Sequence, residues 1–466
     1  MIFSSIPFIF FFLPIFLVLY YIVPFKVKNI VLLIFSLIFY AWGEPIYILL
    51  MLFSSIFDYV NGILIERVSS KSQKKRILII SIIGNLLILG FFKYSDFLIN
   101  NINTLLGSSF SLLNIPLPLG ISFFTFQTMS YTIDVYREKV KAETNFFDFL
   151  TYVSMFPQLI AGPIVRYDVV AKELKERELT FSKFSDGFVR FLTGLFKKVI
   201  IANILGELWL EISTNYLTYS SFTCLLGLFA FSFQIFFDFS GYSDMAIGLG
   251  KMLGFNYPEN FNYPYISTSI TDFWRRWHIT LSTFFKDYVY IPLGGNKCNQ
   301  LKNIRNILIV WLLTGLWHGA NWNYILWGLY FGVILVVEKF VLKKWLERLP
   351  VFLKHVYAIC FILFGWLIFA FENFDTLIAF TKNLIGLNGN LINNDFWFYL
   401  KSYIVILLVA ILFSIPFYDK FKNFVNHSKY KFFWLFLIFI GFILLFIITI
   451  SLLVSNSYNP FLYFRF

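Results

Sequence analysis

The chain has 466 residues, of which 59% are hydrophobic and only 14% are charged. A water-soluble fold could not bury that much apolar surface, so the composition excludes a soluble globular protein and indicates a polytopic, all-α membrane protein. The formal net charge of +12 would suggest nucleic-acid binding in a soluble protein. Here the basic excess lies in short connecting loops, where it reports the orientation of membrane spans and, beyond that, attraction to anionic lipid or a phosphorylated cofactor. We therefore expect no nucleic-acid partner.

The sequence lacks the motifs of several common enzyme classes. The three cysteines, Cys224, Cys298 and Cys360, are widely spaced and form no C-x-x-C pair, which predicts neither a metal cluster nor a disulfide framework. There is no zinc signature, no Gly-x-Ser-x-Gly elbow and no P-loop. Ester hydrolysis and phosphoryl transfer are therefore disfavoured, which leaves direct transfer between two substrates or substrate transport.

Apolar segments alternate with basic loops along the whole chain. The first apolar segment, 2–23, has no basic region before it and no small-residue cleavage site after it, so it is predicted to be a span and not a signal peptide. The positive-inside rule places the basic loops in the cytoplasm and both termini outside. The other predicted spans end at Trp42 and Ile65 or cover 77–92, 222–250, 352–371, 396–417 and 432–454. The sequence thus predicts one integral-membrane domain over 1–466, with an external tail over 455–466.

Three segments are predicted to differ from simple spans. The segment 151–165 contains Pro157 and has basic residues on the same side at both ends, which predicts a broken, re-entrant helix. The Lys197-Lys198 pair is predicted to mark the cytoplasmic start of an outward span. The segment 272–278 is amphipathic and is predicted to lie at the cytoplasmic surface, with its tryptophans as interfacial anchors.

One titratable side chain, His318, ends the otherwise apolar run 311–317. Basic residues precede this run at Arg305 and follow it from Lys339, so both flanks are predicted to be cytoplasmic. A helix from Arg305 to His318 reaches only ~20 Å, against ~30 Å of hydrocarbon. Because a glycine and Asn321 follow, we expect an interrupted helix in a hairpin that does not cross the bilayer, with His318 at the floor of a pocket open to the far side.

A neutral histidine at the base of such a pocket can take a proton from an acceptor hydroxyl. The alternative is a packed histidine that is hydrogen-bonded to a carbonyl group. Asp238 and Asp244 lie within one predicted span and are expected to face a partner or water, not lipid. His278 either binds a phosphate-rich cofactor or holds a helix, whereas His355 and His427 are expected to be solvated.

Several motifs, in order along nearly the whole chain, resemble those of one family. His318 in Gly315-Leu-Trp-His-Gly lies forty residues after His278, which belongs to Phe273-Trp-Arg-Arg-Trp-His-Ile-Thr-Leu-Ser. This pair is similar to the signature of the membrane-bound O-acyltransferase (MBOAT) family. The motifs that resemble its bacterial polysaccharide branch, which contains the AlgI- and PatA-like O-acetyltransferases and more distantly DltB, cover 119–127, 156–163, 237–246 and 290–295.

The resemblance implies that His318 is the central catalytic histidine and that His278 is the second signature histidine. It implies a ring of about 11 transmembrane helices, with re-entrant or broken helices, around an outer funnel and a cytoplasmic entrance. The expected activity is O-acyl transfer (EC 2.3.1 type), from a cytoplasmic thioester to hydroxyl groups of a cell-surface or periplasmic polysaccharide similar to alginate, peptidoglycan or teichoic acid. The expected location is the bacterial cytoplasmic membrane. Polar residues predicted to line the pocket are Asn321, Asp238, Asp244, Gln127 and Gln158.

The donor that the resemblance implies is acetyl-CoA or an acyl group on a carrier-protein thioester, with no bound cofactor and no metal. Arg275, Arg276 and Lys286 are placed to bind its phosphates on the inner side, although a positive-inside loop would contain the same residues. Expected partners are the polysaccharide acceptor and an extracytoplasmic acyltransferase of the SGNH type, similar to AlgX or PatB.

The C-terminal Phe461-Leu-Tyr-Phe-Arg-Phe is similar to the Phe-Ile-Tyr-x-x-Phe end of DltX, the small partner of the D-alanyl transfer system. This resemblance suggests that Tyr463 carries the acyl group after His318 deprotonates its phenol, whose ordinary pKa is ~10. The alternative is an aromatic tail that lies at the membrane interface.

Two other functions remain open from the sequence. A transporter or flippase would also need a polar site near the midplane and broken helices, although no inverted repeat is visible. A scaffold of a secretion complex with a vestigial site is the third candidate.

Overall fold

A computed structural model describes residues 1–387, 389–455 and 458–462, and all regular elements of this part are helical. The prediction of an all-α membrane protein is therefore confirmed. The α-helices are α1 (Leu13–Ile22), α2 (Phe25–Gly43), α3 (Ile48–Arg67), α4 (Lys71–Leu106), α5 (Ile121–Tyr136), α6 (Phe146–Ser154), α7 (Phe156–Leu159), α8 (Tyr167–Lys175), α9 (Phe181–Phe196), α10 (Asn203–Thr214), α11 (Ser221–Met252), α12 (Ile270–Arg276), α13 (Ile279–Phe285), α14 (Gln300–His318), α15 (Trp322–Val337), α16 (Lys343–Arg348), α17 (Val351–Ala370), α18 (Phe374–Leu384), α19 (Asn394–Ser414), α20 (Phe417–His427) and α21 (Lys431–Ser455). Short π-helical segments cover Phe8–Phe12, Lys197–Ala202, Lys286–Tyr290 and Glu338–Leu342, and a 3₁₀ turn covers Pro264–Ile266.

Eight helices of this part of the chain are long and apolar enough to cross a membrane. They are α2, α3, α4, α11, α17, α19, α21 and the continuous helix Trp322–Arg348. This number is smaller than the predicted ring of about eleven, because some apolar segments form shorter helices. The first of these is Phe8–Ile22, which is apolar but shorter than the eight.

The chain forms two compact units. The first unit contains residues 1–191 and 242–258, and the second contains 192–241 and 259–466. Helix α11 contributes to both units, since the boundary falls between Gly241 and Tyr242. The single integral-membrane domain over 1–466 stays a prediction.

In the first unit, the predicted break within 151–165 is confirmed. Helix α6 ends at Ser154, and the four-residue α7 begins at Phe156 with Pro157 in its first turn. Proline lacks a backbone N–H and its ring clashes with a preceding helical turn, so α6 cannot continue through this position. The ring of Phe156 packs at centroid distances of 5.1–6.3 Å against a cluster of aromatic rings, namely Phe3, Phe8, Phe12, Phe16 and Phe39. The re-entrant path across a membrane stays a prediction.

The Lys197-Lys198 pair lies within a helix and does not begin it, and its predicted place at the cytoplasmic start of a span stays a prediction. The helix begins at Phe181 and continues through the π-helical segment Lys197–Ala202 into α10. Lys198 is buried in the second unit, where its ammonium group lies 2.6 Å from the Asp238 carboxylate. A lysine can occupy the middle of an apolar helix when an opposite charge compensates it.

The tryptophans of segment 272–278 are not interfacial anchors, so this part of the prediction is wrong, whereas the position of the segment at the cytoplasmic surface stays a prediction. Trp274 and Trp277 are buried in the second unit. The ring of Trp274 lies 4.6 Å from that of Trp311, and the ring of Trp277 lies 4.7 Å from that of Trp366. These indoles form part of the hydrophobic core of the unit, because α12 packs against α15 and α17.

The predicted interrupted helix at His318 is confirmed. Helix α14 ends at His318, the backbone of Gly319 is extended, and α15 begins at Trp322. The two arms pack closely: a Cβ atom on Gly315 would lie 2.4 Å from the carbonyl oxygen of Tyr324. The second arm differs from the prediction, since the helix continues past Lys339 to Arg348 and is long enough to cross a membrane. The depth of His318 in a membrane stays a prediction.

Candidate active site

His318 is buried at the break between α14 and α15. Its imidazole makes edge-to-face contacts with the rings of Trp327 at 4.9 Å and Phe369 at 5.5 Å. The chain turns directly after it because Gly319 has no side chain: a Cβ atom there would lie 2.3 Å from the ring of Tyr324. The imidazole is therefore held by packed aromatic rings, which restrict its orientation.

Two cavities of the second unit meet at His318. The larger has a volume of about 750 Å³ and the smaller of about 10 Å³, and His318 lines both. A volume of 300–1,000 Å³ is usual for a small-molecule site, whereas the smaller cavity has room for about one water molecule. The smaller cavity is lined largely by aromatic and aliphatic side chains, with Asp238 and His318 as its ionisable residues.

The larger cavity is basic. Its lining includes five basic and two acidic side chains, namely Arg275, Lys286, Lys339, Lys343 and Lys354 with Glu338 and Glu347. The structure thus places Arg275 and Lys286 at this cavity, and their role in donor binding stays a prediction. Arg276 is not among the lining residues, because its guanidinium group pairs with Asp272 at 2.9 Å.

Lys354 was missed by the sequence analysis, and Lys339, like the basic residues that follow it, was considered only as a topology signal. Their sequence positions resemble those of any cytoplasmic flank. Lys339 donates hydrogen bonds of 2.8 Å to Asn296 and 2.7 Å to Asn303. These contacts hold its side chain at the wall of the larger cavity.

His278 also lines the larger cavity. It is 1% exposed and joins α12 to α13 with a left-handed backbone conformation at φ 45°. The indole of Trp317 packs against both histidines, with its centroid 5.7 Å from the ring of His278 and 4.9 Å from that of His318. Burial lowers the pKa of His278 to about 3, so this side chain is neutral at physiological pH.

Glu338 positions α12, and sequence reasoning did not identify it. Its buried carboxylate accepts hydrogen bonds from the backbone N–H groups of Ile270 at 2.6 Å and Thr271 at 2.8 Å. A carboxylate at the first turn satisfies N–H groups that have no partner within the helix and interacts favourably with the helix dipole. The contact is between residues far apart in the chain, so no local pattern could have revealed it.

The C-terminal segment 458–462 lies at the smaller cavity, where Leu462 is a lining residue. The Leu462 N–H donates a 2.8 Å hydrogen bond to Asp238, which also lines this cavity. Tyr463, the predicted acyl carrier, follows Leu462 in the sequence but lies outside the described residues.

Four other polar residues predicted for the pocket are not among the lining residues of these two cavities. Gln127, Gln158 and Asp244 belong to the first unit, where Asp244 pairs with Arg190 at 2.8 Å. Both glutamines are buried, and Gln158 donates a 2.6 Å hydrogen bond to the carbonyl oxygen of Tyr152. Asn321 precedes α15 and lines neither of the two cavities that meet at His318.

The two histidines that were expected to be solvated differ from His318 and His278. His427 is exposed, and its Nδ1 lies 2.8 Å from the carbonyl oxygen of Asn423. His355 is half-buried, with Nδ1 at 3.1 Å from the carbonyl oxygen of Ser267. Neither lines the two cavities at His318. Within the described ranges, no group of three or more His, Cys, Asp or Glu side chains could hold a metal ion.

The arrangement suits proton transfer between two substrates. An imidazole at the contact of a large basic cavity and a small apolar one can accept a proton from a hydroxyl group on one side. The aromatic rings around the imidazole lower the local dielectric, which strengthens electrostatic interactions with the reacting atoms. The basic cavity can hold an anionic donor on the other side.

Comparison with known proteins identifies the family of the chain. The sequence model of MBOAT, the membrane-bound O-acyltransferase family, matches residues 122–413, a range that includes His278 and His318. The chain is 43% identical over 383 residues to the probable alginate O-acetylase AlgI of Azotobacter vinelandii. The aligned region covers 80% of this chain and 76% of that relative. It is 37% identical over 425 residues to the peptidoglycan O-acetyltransferase of Helicobacter pylori. This second alignment covers 84% of this chain and 80% of that relative.

A more distant likeness extends to a second kind of acyl transfer. The chain is 32% identical over 275 residues to the teichoic acid D-alanyltransferase of Bacillus subtilis. The aligned region covers 55% of this chain and 69% of that relative. One conclusion follows from the matched range, the sequence identity to these transferases and the share of each chain that is aligned. The chain is a membrane enzyme that belongs to the membrane-bound O-acyltransferase family.

Proposed function

We propose that this enzyme moves an acetyl group from a cytoplasmic thioester, across the bacterial cytoplasmic membrane, toward hydroxyl groups of a cell-envelope polysaccharide. The observation that carries the proposal is that His318 lines both the basic and the apolar cavity. A single imidazole there can touch a donor from one side and an acceptor from the other. The names of the relatives support a polysaccharide as the final acceptor, since they act on alginate, peptidoglycan and teichoic acid.

The donor occupies the larger cavity in this proposal. Its five basic side chains favour a phosphate-bearing thioester, either acetyl-CoA or an acyl group on the phosphopantetheine arm of a carrier protein. Trp274 and Trp311 line the same cavity as the basic residues and His318. The thioester carbon would lie next to the imidazole while the phosphates stay near Arg275 and Lys286.

The transfer needs one proton to move twice. His318 accepts the proton of the acceptor hydroxyl group while the hydroxyl oxygen bonds to the thioester carbonyl carbon. The carbon–sulfur bond then breaks, and the leaving thiolate takes the proton from the imidazolium. The acyl group is now an ester of the acceptor, and His318 is neutral again.

Tyr463 is the proposed first acceptor. Leu462, the residue before it, lines the smaller cavity together with His318. The Tyr463 ester would then pass the acyl group to an extracytoplasmic partner of the SGNH type, whose acceptor returns a proton to the tyrosine oxygen when the ester bond breaks. An aromatic tail that only lies at the membrane interface would form no such ester.

The substitution His318→Ala tests the function. We expect acetate released by mild alkali from isolated cell-envelope glycans to fall by a factor of about 10² or more, with unchanged protein level and unchanged glycan export. His355→Ala is the matched control, because His355 lines neither cavity at His318 and should retain normal acetylation. Normal acetylation in the His318→Ala strain would remove the proposal.

A second experiment addresses Tyr463. Peptide mapping of the working enzyme, quenched at acidic pH to preserve esters, should find an acetyl ester on the C-terminal peptide. The ester should be absent from Tyr463→Phe and from His318→Ala. Normal acetylation by Tyr463→Phe would show that the acyl group passes directly to another acceptor.

A further inference from the structure

The second unit contains a buried ion pair that the transfer reaction does not use. Lys198 from the π-helical segment Lys197–Ala202 and Asp238 from α11 lie 2.6 Å apart, and each side chain is 3% exposed. Removing two charges from water costs more than their mutual attraction returns unless further hydrogen bonds satisfy them. The other hydrogen-bond partners of the two groups therefore indicate the role of the ion pair.

Those partners belong to the C-terminal segment 458–462. Asp238 accepts a 2.8 Å hydrogen bond from the backbone N–H of Leu462. Lys198 donates a hydrogen bond to the backbone carbonyl oxygen of Pro460. The ion pair thus contacts two backbone groups of the same short stretch: the carboxylate accepts from an N–H group, and the ammonium group donates to a C=O group.

Neighbouring side chains extend the same contact. Asn203 accepts a 2.8 Å hydrogen bond from Lys198 and donates a 3.2 Å hydrogen bond to the Asn459 side chain. Gln234 donates a 3.4 Å hydrogen bond to the hydroxyl group of Tyr458. Gly206 leaves space for that hydroxyl group, since a Cβ atom there would lie 2.9 Å from it.

The segment is also anchored by an apolar residue. Phe461 is 4% exposed, and Leu462 forms part of the wall of the smaller cavity beside His318. A terminal segment is usually poorly ordered unless specific contacts hold it. Here charge-assisted hydrogen bonds to the backbone and one buried aromatic ring supply those contacts.

We propose that Lys198 and Asp238 form a docking site for a short peptide segment, and that its ligand is the chain's own C-terminal segment 458–462. The two residues are positioning residues, which hold Leu462 at the cavity of His318 without touching the reacting atoms. The consequence for acyl delivery rests on the proposed function, because docking would bring the residue after Leu462 to the acyl group. The docking itself does not depend on any transfer reaction.

Hydrogen–deuterium exchange of the full-length protein in detergent micelles, without donor, tests the docking. Fragmentation that resolves single amides should show a protected Leu462 N–H in the wild type. The double variant Lys198→Met/Asp238→Leu replaces the ion pair by apolar groups of similar size, a change that folded proteins often tolerate. We expect exchange at Leu462 to become at least about tenfold faster in this variant, while the amides of α15 keep their protection.

One control variant and one independent test variant make the result specific. Glu143→Gln removes a buried carboxylate of the first unit, which pairs with Lys175 at 3.2 Å, and should leave exchange at Leu462 unchanged. Phe461→Ala removes the apolar anchor from the segment itself and should accelerate exchange at Leu462 as strongly as the double variant. It also keeps the proposal testable if the double variant fails to fold. Unchanged protection of Leu462 in Phe461→Ala or in a folded double variant would overturn the proposal.

The outcome is separable from the proposed function. His318→Ala lacks the proposed base but retains all contacts of the docking site, so it should keep the protection of Leu462 and lose acetylation. If His318→Ala acetylates normally while the double variant still releases the segment, the docking site stands and the catalytic role of His318 falls. If the segment is unprotected in the wild type, the docking site falls, whatever the activity.

Discussion

The Nδ1 atom of His278 lies 3.0 Å from the Oδ1 atom of Asn260. The same oxygen accepts a 2.9 Å hydrogen bond from the hydroxyl group of Thr280. Because an amide oxygen only accepts, His278 must donate its Nδ1–H, which places the lone pair of the neutral imidazole on Nε2. Asn260 thus selects the tautomer of a histidine that lines the larger cavity.

The buried state of His278 predicts how stability depends on pH. Its pKa is about 3 in the folded protein, against about 6.5 in an unfolded chain. The unfolded state therefore binds more protons below pH 6.5, and this residue should lower the free energy of unfolding progressively as the pH falls from about 6.5 toward 3, on the order of 1 kcal/mol per unit. Thermal unfolding in detergent between pH 4 and 8 measures this. His278→Gln should flatten the profile, while the exposed His427→Gln should not, and equal slopes for all three proteins would contradict the prediction.

The contact of Glu338 with α12 predicts a loss of stability on substitution. Glu338→Gln removes the charge and leaves one acceptor oxygen for the three donors that Ile270 and Thr271 present. Leaving buried donors without a partner costs about 1–3 kcal/mol, so the melting temperature should fall. Glu347→Gln is the control, since Glu347 also lines the larger cavity but is exposed. A similar melting temperature for both variants would contradict the structural role of Glu338.

Charge reversal at the larger cavity should weaken donor binding. Lys286→Glu and Lys354→Glu place a negative charge in the wall that is proposed to face phosphate groups. We expect KM for the acyl donor to rise by about tenfold with little change in kcat, and the effect to shrink as ionic strength rises. Donor-dependent acyl transfer in membranes measures both constants. Lys420→Glu reverses an exposed positive charge in α20, outside the lining, and should leave KM unchanged.

The close packing of α14 and α15 predicts an effect of one methyl group. In Gly315→Ala the new Cβ atom would lie 2.4 Å from the backbone oxygen of Tyr324, which cannot move without shifting α15. We expect a destabilisation of about 1–3 kcal/mol and lost activity, because the hairpin holds His318. Gly441→Ala in α21 has nothing within 4 Å of its Cβ position and should behave like the wild type. Thermal unfolding and glycan acetylation of both variants compare the two sites.

The break at His318 could be predicted from the sequence because its cause is local. An apolar run that ends in histidine, glycine and asparagine cannot continue as a buried helix, and the helix does end at His318. The break before Pro157 has an equally local cause in the missing N–H group of proline. The motifs around His278 and His318 likewise identify the family, because they are properties of short stretches of the chain.

The failures have the opposite origin. Lys198 resembles a cytoplasmic flank in the sequence but is buried in the structure. Its burial could not be predicted, because the partner that compensates its charge, Asp238, lies forty residues away in the sequence. Trp274 and Trp277 resemble interfacial anchors and are core residues, because Trp311 and Trp366 cover them. Charge and aromatic content show that a side chain needs compensation or burial, but they do not show where the compensation comes from.

The amino-acid sequence alone determined the helical membrane class, the interruption at His318 and the family, since hydropathy, backbone preference and motif spacing act within a few residues. Only the tertiary structure decided that His318 joins two cavities, that Glu338 holds α12 and that the C-terminal segment docks on Lys198 and Asp238. These relationships join residues far apart in the chain, and their energies arise from contact and burial, which exist only once the helices have packed.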